Sequence, residues 1–154
     1  MEKLKVYISC ALTYAPLEYK EQIFTFKDML RKIPWIEVLD FVMVNSVQEY
    51  PDTGHIYCND IYDCVGKAHV LISGVSIPSI GLGWEMGTFN EKHVGPILMC
   101  AHEDAKVTKL VLGAVETHPG LSLKRYKESI TDLLDYFLSE LKIIHTQLQL
   151  KKAL

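Results

Sequence analysis

Two carboxylates and a phenol can cleave a glycosidic bond: one carboxylate attacks the anomeric carbon and the other protonates the leaving group. This chain offers that set in Glu85, in Tyr7, and in Asp60 or Asp63. Glu85 closes the stretch Pro78-Ser79-Ile80-Gly81-Leu82-Gly83-Trp84-Glu85, which follows the β-branched apolar run Val70 to Val75. That run reads as a buried strand, the Pro78 to Gly83 segment as a tight loop, and a helix as starting near Trp84. Glu85 then lies in a first helical turn, where the helix dipole keeps a carboxylate ionised. Free N–H groups around Ser79, Gly81 and Gly83 suit an anion such as phosphate. Tyr7 lies on another predicted strand, with Ser9 and Ala11 at its carboxyl end. An ionised Glu85 stabilises an oxocarbenium-like transition state before bonding to it, and neighbouring carboxylates split their proton affinities, which supplies one acid and one base. No metal or organic cofactor is needed. Each residue also has an ordinary role: Glu85 as a dipole partner, Ser79 as a helix cap, Tyr7 as core, Trp84 as packing on the sheet.

The elements that must position these residues alternate. Strands are predicted over Leu4–Cys10, Trp35–Val44, His69–Val75, Pro96–Ala101 and Leu121–Tyr126, the last at an edge. Helices are predicted over Leu17–Lys32, Asn59–Lys67 (with Asn59 as cap), from about Trp84, over Ala105–Glu116 and over Lys127–Gln149. In the last, Ile130, Leu133, Leu134, Phe137, Leu138, Leu141 and Ile144 form one apolar stripe, read as packing. Residues 45–57 read as a loop able to act as a lid or specificity segment. The alternation predicts a doubly wound, flavodoxin/Rossmann-like three-layer α/β sandwich with a five-stranded, mostly parallel sheet. In such a sheet the first strand neighbours the one from residue 69, and ligands bind outside their carboxyl ends. Tyr7, an aspartate and Glu85 meet there.

Length and composition exclude several classes. A chain of 154 residues, 49% hydrophobic and 23% charged, fits a single globular domain over 1–154. Net charge −3 argues against a nucleic-acid binder, which shows a basic face, but not against a single nucleotide. The start Met-Glu-Lys-Leu-Lys lacks the apolar core of a signal peptide, and no run approaches the ~18 apolar residues of a membrane span. Cys10, Cys58, Cys64 and Cys100 form no Cys-x-x-Cys pair, so free thiols and a cytoplasmic location are expected, without a membrane partner. His55, His93, His102, His118 and His145 show no ligand spacing and read as surface or loop residues. Gly81, Gly83 and Gly87 miss the spacing of a dinucleotide fingerprint, and no P-loop Gly-Lys-Ser/Thr is present.

The segments Val6-Tyr7-Ile8-Ser9, Asn59-Asp60-Ile61 and Pro78-Ser79-Ile80-Gly81-Leu82-Gly83-Trp84-Glu85-Met86-Gly87 resemble the nucleoside 2-deoxyribosyltransferase superfamily, over residues 4 to about 115. Within it they look most like the 2′-deoxynucleoside 5′-monophosphate N-glycosidases. The resemblance implies that Glu85 is the nucleophile, that Tyr7 orients it, and that Asp60 handles the proton of the departing base, with Asp63 as its rival. Ser79 stands where the hydrolases touch the 5′-phosphate and the transferases more often carry an acidic residue. Thr108 stands where a hydroxyl reaches the neighbouring subunit's phosphate, which implies a homodimer. The hydrolases carry a basic residue just after the first strand, where this chain has Leu12-Thr13-Tyr14. The expected activity is release of the base from a (deoxy)ribonucleoside 5′-monophosphate. Base exchange by a deoxyribosyltransferase is the alternative, and a nucleotide sensor without catalysis is the second.

Overall fold

The computed structural model describes residues 2–41, 52–92 and 95–153. Five strands, β1 (Leu4–Cys10), β2 (Ile36–Leu39), β3 (Val70–Gly74), β4 (Ile97–His102) and β5 (Leu121–Tyr126), form one sheet of order β2-β1-β3-β4-β5. Every pairing is parallel. The helices are α1 (Leu17–Arg31), α2 (Thr53–Tyr57), α3 (Ile80–Glu91), α4 (Lys109–Thr117) and α5 (Leu134–Lys152). α2 runs on into a π-helix, Cys58–Val65, and a 3₁₀ turn, Ile130–Leu133, leads into α5. This is the expected doubly wound α/β fold, with β5 at an edge. The chain turns outward in opposite directions from β1 and β3, so their carboxyl ends flank the point where the winding reverses, the place where doubly wound sheets bind ligands.

Side chains alternate across the strands and fill two cores. Leu4, Val6 and Ile8 of β1, with Val70 and Ile72 of β3, pack against Ile23, Phe26 and Leu30 of α1 and Phe137 and Leu141 of α5. Ile130, Leu133, Phe137 and Leu141 of the apolar stripe are buried here, and Leu134, Leu138 and Ile144 pack on the same cluster. Tyr7 and Leu71 face the other way, onto Ile61, Cys64 and Val65 of the π-helix and Leu82 and Phe89 of α3. Burying a pair such as Phe26 and Phe137, whose rings meet edge to face 5.4 Å apart, contributes on the order of 2–3 kcal/mol per ring.

Several boundaries differ from expectation for local reasons. β2 ends at Leu39, and 42–44 lie outside the described residues. Most of the expected 45–57 lid also lies outside them, while its end is helical: Asp52 caps α2 by accepting from Gly54 N–H at 3.2 Å. Asn59 is therefore interior to a helix, not its cap. α3 begins at Ile80 rather than near Trp84, because the Ser79 hydroxyl caps it by accepting from Leu82 N–H at 3.5 Å. The expected Pro78 to Gly83 loop is thus mostly the first turn of a helix. His145 is buried rather than on the surface: it stacks on Trp35, and its Nε2 lies 2.9 Å from the Glu2 carbonyl oxygen. His93 lies outside the described residues.

Candidate active site

Strand periodicity puts Tyr7 and Ser9 on the face of β1 that meets α3. Glu85 projects from α3 into the same space. The Tyr7 phenol donates to Glu85 Oε1 at 2.9 Å, and the Ser9 hydroxyl donates to Oε2. Both carboxylate oxygens are therefore held by hydroxyls of one strand. Ser9, expected to touch substrate, holds Glu85 instead.

The electrostatics differ from the expected dipole argument. With α3 starting at Ile80, Glu85 lies in its second turn, beyond the strongest field of the helix end. Burial dominates and pushes its carboxyl up to about 7; the Ser9 and Tyr7 donors pull it down, and the charge of Asp60 adds to the rise. Burial first, then Glu85 and Asp60, drive the Tyr7 phenol far above its ordinary range, so it stays a neutral donor. Burial likewise raises the thiols of Cys10 and Cys64 to about 12, which leaves them unreactive.

Asp60 sits in the π-helix, where Asn59 Nδ2 donates to its Oδ1 at 3.0 Å. The wider winding is closed by Gly66 N–H donating to the Ile61 carbonyl at 2.8 Å. A Cβ on Gly66 would stand 2.7 Å from the Tyr62 carbonyl oxygen, so glycine is required there. Asp63 points the other way and pairs with Lys67 at 2.6 Å, both side chains exposed. Of the two rivals, Asp60 is the one whose charge acts on Glu85 and Tyr7. Gly74, at the carboxyl end of β3, has no room for a side chain: a Cβ would lie 2.5 Å from the Tyr19 hydroxyl, which donates to the Gly74 carbonyl.

The remaining expected residues fall elsewhere. Ala11 is buried. Ser79, Gly81 and Gly83 are exposed on the first turn of α3, not in a loop. Thr108 caps α4 by accepting from Val111 N–H at 3.4 Å. Ser79, Gly83 and Thr108 line a groove of about 450 Å³ between α3 and α4, walled by Leu82, Met86 and Val111. Tyr7, Ser9, Asp60 and Glu85 do not line it. Trp84 is 60% exposed and does not pack on the sheet. Two neighbours of the site, Phe41 and Lys27, carried no signal in the sequence, and a third, Asn59, was legible only as a helix cap within a family motif. Phe41 meets the Tyr7 ring edge to face at 6.4 Å, Lys27 is buried with its ammonium 4.0 Å over the Phe41 ring, and Asn59 grips Asp60. Among the described residues no group of three or more His, Cys, Asp or Glu is placed to hold a metal ion, and no helix is long and apolar enough to cross a membrane.

No protein-family model matches the chain, and no curated protein does. Among solved structures it is similar to a conserved protein from Enterococcus faecalis V583, at 16% identity and TM-score 0.51, over 86% of this chain and 96% of that one. That likeness concerns the fold alone.

The arrangement is a carboxyl that exchanges its proton near neutral pH, locked by two hydroxyls beside a second carboxylate. A carboxyl of this kind has the chemistry of an acid, a base or a nucleophile.

Proposed function

We propose that this chain is a hydrolase of the N-glycosidic bond of (deoxy)ribonucleoside 5′-monophosphates. One observation carries the reading: the Glu85 carboxyl, gripped by Tyr7 and Ser9 at the switch point of the sheet, with the charge of Asp60 acting on it. The sequence resemblance to the nucleoside 2-deoxyribosyltransferase superfamily supports it. In the first step a carboxylate oxygen of Glu85 bonds to the anomeric carbon as the C–N bond breaks. The electron pair goes to the base nitrogen, and Asp60 relays to it the one proton that the two carboxyl groups hold between them, leaving both without a proton. Water then cleaves the glycosyl ester, its proton returns to Asp60, and (deoxy)ribose 5-phosphate leaves. Tyr7 and Ser9 fix the carboxylate and stabilise its ionised form. Ser79 and the N–H group of Gly81 are the proposed phosphate contacts, the expected Gly83 N–H being taken by the Ser79 carbonyl at 3.1 Å, with Thr108 of a second subunit completing the site in a cytoplasmic homodimer.

The test is chromatographic detection of free base from a panel of ribo- and deoxyribonucleoside 5′-monophosphates, each with and without a second free base. Base release without an acceptor, lost in Glu85→Ala, is expected. Turnover only with an acceptor would make the chain a transferase. Binding without turnover would leave a sensor.

A further inference from the structure

We infer that Asn59 is the positioning residue of Asp60, aiming its carboxyl at the departing base. The inference rests on the proposed role of Asp60 and adds a residue with no assigned part in it.

The amide nitrogen of Asn59 lies 3.0 Å from Asp60 Oδ1 and 3.2 Å from the Asp40 carbonyl oxygen. A carboxylate and a backbone carbonyl are both acceptors, so the orientation of the amide is decided: its nitrogen faces them and its two N–H groups serve one each. One N–H of the amide is thereby tied to the backbone just beyond β2 and the other to the acid. The tie to β2 is firm. The Asp40 carbonyl also accepts from Cys64 Sγ at 3.2 Å, and the Asp40 carboxylate is held by Lys27 at 2.7 Å and Arg31 at 2.5 Å, both from α1. Lys27 is 1% exposed and lies 4.0 Å over the ring of Phe41, which packs on Tyr7. The same anchor therefore stands behind both carboxyl groups of the site.

The consequence for chemistry is directional. An N–H donor at Oδ1 keeps that oxygen an acceptor and favours the proton of the acid form on Oδ2. Proton transfer needs that oxygen within hydrogen-bond reach of the base. Losing this donor leaves the carboxyl less firmly aimed, and a misplacement of about 1 Å can cost on the order of 100-fold.

The test compares wild type, Asn59→Ala, Asp60→Asn and the double variant on two substrates: a deoxyribonucleoside 5′-monophosphate, and a 4-nitrophenyl 2-deoxyriboside 5-phosphate whose leaving group departs without a proton. Asn59→Ala is expected to lower kcat for the nucleotide ten- to a hundredfold, to leave the nitrophenyl substrate within about threefold, and to add nothing to the loss in Asp60→Asn. Equal losses on both substrates, or losses that multiply in the double variant, would make Asn59 structural only and overturn the inference. Should Asn59→Ala fail to fold, Asn59→Ser keeps one donor, and the same substrate split at smaller amplitude is expected. A wild type inert on both substrates would instead remove the proposed function itself, an outcome distinct from the other two.

Discussion

The Tyr7 phenol donates to Glu85 Oε1 at 2.9 Å, joining β1 to α3 where the winding of the sheet reverses. The bond opposes burial, which holds the Glu85 carboxyl at about 7. Tyr7→Phe removes the donor and keeps the ring that meets Phe41, so the carboxyl rises further. A reaction that needs the carboxylate gains rate with pH through about 7 in the wild type. In Tyr7→Phe the rising limb of kcat/KM moves about one pH unit higher, and the rate at pH 7 falls about fivefold, as a hydrogen bond to a charged acceptor is worth about 1.5–3 kcal/mol. A limb that stays in place would show that Tyr7 does not tune Glu85.

Glu85 also leaves a mark on stability. Its carboxyl titrates at about 7 in the folded chain against an ordinary value of 4.5, so the native state binds this proton more tightly than the unfolded one. Stability is then fullest below about 4.5, falls as pH rises, and above about 7 carries a deficit on the order of 3 kcal/mol. Glu85→Gln keeps the shape without the charge. Urea unfolding should find it more stable than wild type at pH 8 and close to it at pH 4. A variant less stable at pH 8 would mean that the ionised carboxylate is a net asset to the fold.

The fold was legible because its signals are local and repeated. β-branched runs such as Val70 to Gly74 alternate with apolar stripes such as the one on α5, and each stripe found a core. Glu85 and Tyr7 were legible as a pair because strand order alone brings their elements together. What misled was glycine. Gly81 and Gly83 lower helix propensity enough to read as a loop, yet the Ser79 cap starts α3 upstream of them, and that moves Glu85 out of the first turn. The consequence reaches the chemistry, since burial rather than the helix dipole governs the carboxyl. Lys27 and Phe41 carried no pattern. A lysine within a helical apolar stripe reads as a solvated edge until its carboxylate partner, Asp40, is placed by tertiary structure.

Lys27 makes a sharp stability test. Its side chain is 2% exposed while that of Asp40 is 50% exposed. Asp40→Asn takes the counter-charge from the buried ammonium, which lies 4.0 Å over the Phe41 ring, and should cost on the order of 2 kcal/mol, less than for a wholly buried pair because Asp40 is half in water. Replacing both, with Lys27→Met and Asp40→Asn, should recover much of the loss, since no unpaired charge stays behind. Thermal unfolding of the three variants checks this. A double variant worse than Asp40→Asn would show that the ammonium is stabilised by the ring and not by the carboxylate.

Gly87 offers the reverse case, a residue that the fold of one chain does not require. It lies inside α3, it is exposed, and a Cβ built on it meets nothing within 4 Å. Glycine within a helix costs about 0.5–1 kcal/mol relative to alanine through the freedom it has in the unfolded chain. Gly87→Ala should therefore raise the midpoint of thermal unfolding by about 1–4 °C, given the size of the domain. Gly87 also lines the groove between α3 and α4, beside Gly83 and Met86. If a second subunit seats itself there, as the homodimer of the proposed function allows, the added methyl would meet it. Sedimentation of wild type and variant at several concentrations separates the two cases. A higher midpoint with unchanged mass means the glycine serves no contact, whereas a lower midpoint with weakened self-association means that another surface closes over it.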